Sequence, residues 1–240
     1  MNNTNNESAY QAYLRGKQQF FEAFLPSFMD DKKPDPVGRC KSYVETLVFS
    51  QSEIRLEVNL TAAATLFKFA VTAQDVNTTG VQFLTERRLK PQDTLLATEY
   101  KIEIAQTTGN NDANYPVHTY PNTQAFAAAD VITLRNIFYD NGDLQILCNG
   151  NDVMPYRRLR NFLYEPQTQQ TAALGAGSPG DQIRGAEDGF ITLSPSLFLI
   201  GPKGYVPQIN LKTNLVALSA NVRCILTFSG LLAQNSTSYS

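Results

Sequence analysis

The spacing of apolar residues changes once along the chain, and the change divides it. From Tyr10 onward, Tyr13, Leu14, Phe20, Phe21, Phe24, Leu25 and Phe28 recur at intervals of three and four, the period of one helix face. This predicts an amphipathic helix closed by Pro26 and the cluster Asp30-Asp31-Lys32-Lys33-Pro34-Asp35-Pro36, because proline removes a donor and biases its predecessor away from helical angles. Beyond Gly38 the period becomes two. Tyr43 to Phe49 and Ile54 to Leu60 alternate apolar and polar positions, as half-buried strands do. Further strands are expected at Leu66 to Thr72, Val81 to Thr85, Leu95 to Gln106, Val131 to Phe138, Leu144 to Cys148, Tyr156 to Tyr164, Phe190 to Leu193, Leu197 to Ile200, Gln208 to Thr213 and Val222 to Leu232. No second helix of comparable periodicity is predicted.

Turn residues separate these runs, at Asn77 to Gly80, Lys90 to Asp93, Asp140 to Asp143, Asn149 to Asp152 and Gly201 to Gly204. Asn141-Gly142 is the expected tight hairpin, since both residues tolerate positive φ. Two longer polar stretches, Thr107 to Asp130 and Pro166 to Gly189, read as interaction loops. The fold class is all-β, a sandwich or jelly roll preceded by an N-terminal amphipathic helix, because short antiparallel strands need a second sheet over their apolar faces. Roughly a dozen strands exceed the eight of one roll and fall short of two. The expected division is residues 1–35 as an arm with its helix, 36–125 as a first jelly roll and 126–240 as a second.

Composition narrows the function. Charged residues are 18% of 240, and 20 basic against 22 acidic side chains leave a net charge of −2, which argues against global attraction to nucleic acid. One histidine, three cysteines and no tryptophan are a poor inventory for acid–base or soft-metal chemistry. Cys40, Cys148 and Cys224 stand far apart and read as small buried hydrophobes of a reduced protein made in a cytoplasm. Met1 to Asn6 carries neither a basic nor an apolar leader region, and no apolar run is long enough to span a bilayer.

Candidate chemistry is sparse. Gly175 to Gly180 matches Gly-x-Gly-x-x-Gly but lacks the preceding strand and following helix that bring a helix N-terminus to a phosphate. Ser178 sits in an elbow-like loop whose only histidine, His118, precedes it, against the order a hydrolase of that fold needs. Glu99, Lys101 and Glu103 share one strand face and read as a solvated edge. No catalytic, cofactor-binding or metal-ligating residue is therefore assigned, and the chain is read as a non-enzyme. Arg157, Arg158 and Arg160, flanked by Tyr156 and Phe162, form the densest cationic run, suited to a lipid headgroup, nucleic acid or an acidic neighbouring subunit. The helix stripe of Tyr13, Phe20, Phe21, Phe24 and Phe28 has few cations beside it and so reads as a contact with protein rather than membrane, either the chain's own β-body or an adjacent subunit, and is the expected assembly interface.

Leu89 to Tyr100, Tyr120-Pro121-Asn122, Asn141 to Ile146, Pro166 to Gln169 and Ile225 to Leu232 resemble capsid proteins of small icosahedral phages of Bacteroidetes hosts. The nearest type is the jelly-roll major capsid protein of membrane-containing single-stranded DNA phages that infect flavobacteria. The resemblance implies a double jelly roll and a virion protein that self-assembles into an icosahedral shell. It further implies three copies per pseudo-hexagonal capsomer, contacts with other capsid proteins, an internal membrane beneath, and no sequence-specific nucleic-acid binding. A single-roll penton or minor capsid protein, and a carbohydrate-binding or adhesin-like sandwich, are the alternatives.

Overall fold

The computed structural model describes residues 9–164, 168–169, 181–182 and 189–236. Among the described residues two helices, α1 (Ala9–Asp30) and α2 (Pro36–Thr46), precede the first strand. α1 runs through the exposed Pro26 and stops four residues later than the proline alone would dictate. α2 replaces the expected linker and the first half of the expected strand at Tyr43 to Phe49. Asp35 caps it, accepting a hydrogen bond from the Gly38 amide at 3.0 Å, and Pro36 takes the first helical position, where a missing N–H costs nothing.

Among the described residues ten strands follow in chain order: β1 (Val48–Asn59), β2 (Leu66–Lys68), β3 (Thr94–Thr107), β4 (Gly142–Cys148), β5 (Asn151–Arg158), β6 (Thr168–Gln169), β7 (Asp181–Gln182), β8 (Ile191–Ile200), β9 (Tyr205–Leu211) and β10 (Asn221–Gln234). Eight of them build two antiparallel sheets, in the orders β1-β10-β3-β8 and β2-β9-β4-β5, while β6 and β7 pair only with each other. The protein is thus a mostly antiparallel β-sandwich with few helices. Both sheets take strands from either side of residue 125, and β1 pairs along its whole length with β10. The expected boundary at 125 does not coincide with any break in the sheets.

Alternation places Ile54, Leu56 and Val58 of β1, Tyr100, Ile102 and Ile104 of β3, and Cys224, Leu226 and Phe228 of β10 on the inner face, all buried in one core with Leu144, Ile146 and Ile209 of the opposite sheet. The three cysteines are free thiols. Gly230 lies at a bulge where β10 shifts register against β3, and a Cβ there would meet the Leu96 carbonyl oxygen at 2.0 Å.

Several expected strands take other forms. Val131 to Phe138 is helical: α3 (Ala128–Thr133) leads into a π-helical turn over Leu134–Tyr139, which buries Leu134, Phe138 and Tyr139. Val81 to Thr85 is irregular, and Tyr156 to Tyr164 leaves the sheet at Arg158 for a 3-10 turn, Leu159–Phe162. The Asn-Gly hairpin is at 149–150, where Asn149 (φ 50°) and Gly150 (φ 82°) join β4 to β5. Asn141-Gly142 instead leads from the π-helical turn into β4.

Candidate functional site

The outer face of the β1-β10-β3-β8 sheet carries the densest polar chemistry, and one half of it is covered by the N-terminal helix. Phe20 of α1 is fully buried against Phe49, Phe198, Leu96 and Ala233. Gly16 permits the close approach: a Cβ there would stand 2.5 Å from Leu231 Cδ2. Phe28 packs with Cys40 and Val44 of α2, and Phe21 and Phe24 lie half-buried against that cluster. Tyr13 meets Phe49 edge-on at 6.1 Å. Phe20 and Phe28 of the stripe expected to face the β-body or another subunit are therefore taken up by the chain's own sheet and second helix, while Tyr13, Phe21 and Phe24 stay half-buried. Phe20 and Phe28 in particular leave no surface for a neighbour.

The other half of the same face is polar, and loops close over it. Arg55 and Glu57 of β1, Lys101 and Glu103 of β3, and Arg223 and Thr227 of β10 alternate with the inner residues just named and so point outward. Arg223 and Glu57 are fully buried and paired at 2.8 Å. The Arg223 guanidinium lies 4.3 Å from the Phe83 ring and 4.9 Å from the Tyr115 ring, and it donates to the Gly109 carbonyl at 2.8 Å. Glu57 also accepts from Arg55 at 2.8 Å, Thr85 at 2.6 Å and Tyr115 at 3.0 Å. One ion pair on adjacent strands thereby pins both the 77–88 and the 108–116 connections to the sheet.

Beside this lock lies a recess of about 570 Å³, with Arg55, Lys101, Glu103 and Thr227 on its sheet side and Leu84 to Arg87 and Val117 as walls. Each buried carboxylate at or beside it already has partners. Lys101 holds Glu103 at 3.1 Å, and Arg88 holds Glu86 at 2.8 Å while Glu86 also accepts from the Phe83 amide. Lys101 stands 4.6 Å from the Phe190 ring. The Glu99, Lys101 and Glu103 face is consequently not a solvated edge: β3 pairs with β8 as far as Tyr100, His118 bridges Ile104 beyond it, and Glu103 is only 7% exposed.

His118 bridges the strand next to this recess, exchanging two backbone hydrogen bonds with Ile104 at 2.8 and 2.9 Å. Burial holds its imidazole below the usual histidine range despite the nearby Glu103 carboxylate. Its ring packs on Phe126 and meets Asn122 at 3.3 Å, so its role in the fold is to tie the 108–126 connection to β3. Ser178 and Gly175 to Gly180 lie outside the described residues, as does most of Pro166 to Gly189. Among the described residues, no group of three or more His, Cys, Asp or Glu is placed to hold a metal ion, and no helix is long and apolar enough to cross a membrane.

The three arginines do not converge. Arg157 turns inward with its guanidinium 5.9 Å from the Tyr100 ring, Arg158 lies on the opposite strand face across from Asp143, and Arg160 reaches Asp140 at 3.5 Å from the 3-10 turn. Strand alternation separates Arg157 from Arg158, and the strand-to-turn change at Leu159 sets Arg160 apart from both. The Glu57–Arg223 lock was missed because its members are 166 residues apart. The one local signal, a charge in an otherwise alternating strand, marks an outward position and cannot tell water from a covering loop.

No protein-family model matches the chain, and no curated protein matches it in sequence.

Proposed function

We propose that this chain is a virion shell subunit built on a single jelly roll, which self-assembles with copies of itself. The observation that carries the reading is the path of the chain between sheets. In sequence order β1, β2, β3 and β4 alternate between the two sheets, β4 and β5 stay together, and β8, β9 and β10 alternate again. Eight strands wound in this way, with the first and last side by side, follow the double Greek key of a jelly roll. Shell proteins and lectins both use that roll, so the fold alone does not choose between them.

Two features favour the shell. The outer face of one sheet is largely covered, one part by α1 and another by the loops over Arg223, which leaves the strand ends and edges as the surface a neighbouring copy would meet. The outward residues of the other sheet, Gln145, Gln208 and Asn210, are bonded to one another at 2.8 and 3.2 Å through Gln145 Oε1. A sugar would have to break that ladder to use it. The strand count supports one roll, so the penton or minor-shell form of the reading takes precedence over the double roll and the pseudo-hexagonal trimer it implied. The test is electron microscopy and sedimentation of the purified full chain, with a glycan array in parallel. Rings, capsomers or closed particles are expected; a persistent monomer that binds a glycan would overturn the proposal.

A further inference from the structure

We propose that the groove between α1 and α2 is a contact between two copies of this chain, each seating the same two-helix face on the other about a two-fold axis. The inference rests on the self-assembly reading above and adds to it the surface, the symmetry and the charges that set the register.

α1 has two apolar rows. The first, through Phe20 and Phe28, is spent on the sheet and on α2. The second runs from Tyr10 through Leu14 to Phe21, and the chain leaves its beginning uncovered: Tyr10 is 68% and Leu14 45% exposed. Where this row passes α2 it forms one wall of a groove of about 380 Å³, with Leu14, Phe21 and Val44 as apolar lining, Lys17 and Gln18 on the α1 side, where the Lys17 ammonium is turned over the Tyr13 and Phe49 rings at 5.8 Å, and Lys41 and Glu45 on the α2 rim. Helix ridges pack into such inter-helix grooves.

Charge selects the occupant. Lys41 and Glu45 are exposed and one turn apart on α2. Among the described residues neither makes an ion pair, and lysine preceding glutamate is the weaker order for pairing within a helix. An acidic partner would satisfy Lys41 and oppose Glu45, and a basic partner would do the reverse. A second α2 laid antiparallel satisfies both, because in an isologous contact residue i meets j while j meets i. Lys41 of each copy then faces Glu45 of the other, and the two exposed Leu14 side chains are buried in the same step.

The test uses the full chain and four variants: Lys41→Glu, Glu45→Lys, the double reversal, and Leu14→Asp. All these positions are exposed, and far-UV circular dichroism confirms that each variant folds. Sedimentation equilibrium is expected to show each single reversal raising the dissociation constant of the two-copy species roughly tenfold or more, as like charges now oppose at two places. Leu14→Asp should do the same. The double reversal should return to within about threefold of wild type, and an equimolar mixture of the two single variants should associate as heterodimers, since the two-fold axis matches every reversed charge. If wild type associates but the single reversals leave it unchanged, or if the mixture and the double reversal fail to recover, this interface is wrong while self-assembly stands. If wild type never associates, the self-assembly reading itself has failed.

Discussion

Removing the Arg223 guanidinium tests whether the sheet and its covering loops are held by one buried charge. In Arg223→Met the aliphatic volume is largely kept, while the guanidinium's contacts are lost: the 2.8 Å pair with Glu57, the donation to the Gly109 carbonyl at 2.8 Å, the Tyr115 hydrogen bond at 3.1 Å, the longer bonds to Thr85 and the Asn110 carbonyl, and the two ring contacts with Phe83 and Tyr115. Glu57 would remain buried. Breaking a buried pair from one side costs about 3–5 kcal/mol, but Glu57 keeps Arg55, Thr85 and Tyr115 as partners, which places the ion-pair loss at the low end of that range. Losing a desolvated cation–π contact adds on the order of 1 kcal/mol. The expected total of about 4 kcal/mol is a large share of the ~5–15 kcal/mol that holds a domain folded.

Urea unfolding followed by far-UV circular dichroism or tyrosine emission reads it directly, the chain having eleven tyrosines and no tryptophan. The midpoint should fall by roughly 1.5 M at the slopes usual for chains of this size. Amide exchange should quicken in residues 108–116, whose anchor is Arg223. The double variant Glu57→Gln/Arg223→Met should be more stable than the sum of the two single losses by about 2 kcal/mol, because neither charge is then stranded. A single variant within about 1 kcal/mol of wild type, or strictly additive losses, would refute the lock.

Three further outcomes follow from other parts of the fold. Phe20→Ala should cost about 3–5 kcal/mol as a fully buried phenylalanine, and deletion of residues 1–35 should expose Leu96, Phe198 and Ala233 and yield an aggregating body; a soluble, cooperatively melting truncation would show that α1 is a detachable arm. Gly230→Ala should destabilise by at least ~1–3 kcal/mol, since its Cβ would press on a backbone oxygen that cannot rotate away; an unchanged thermal midpoint would count against the observed bulge. Arg39 donates to Asp31 at 2.7 Å, and its hydrogen bonding holds the Asp31 carboxyl down at about 2 from an ordinary 3.8. A depressed folded-state value adds stability that is fully present above the unfolded value and fades as pH falls from 3.8 through 2. Acid titration should therefore loosen the α1–α2 junction in that window in wild type and not in Asp31→Asn, as read by amide exchange at Lys33, whose N–H donates to Asp31.

The sequence by itself determined the elements whose signal is local. β1 and β3 are legible because apolar and polar residues alternate over Ile54 to Leu60 and Tyr100 to Ile104, a pattern met by a strand with one face in a core, and β10 because Val222 to Leu232 is a long apolar run too short on helical spacing to be read otherwise. α1 is legible because its spacing of three and four persists for several turns. The cap of α2 was also present, in Asp35-Pro36, but the surrounding charges and prolines read equally as a linker. Only the tertiary structure chose the helical form of Val131 to Phe138, since a short apolar run fits either backbone and burial decides between them. Only it assigned the Phe20 row of α1 to the sheet and left the Tyr10 and Leu14 row open. Periodicity says that a face is apolar, and what covers that face depends on chain segments brought from far away. The same holds for Glu57 and Arg223: each reads as an outward charge in its own strand, and they become a buried lock because β1 and β10 are neighbours and two distant loops fold over them.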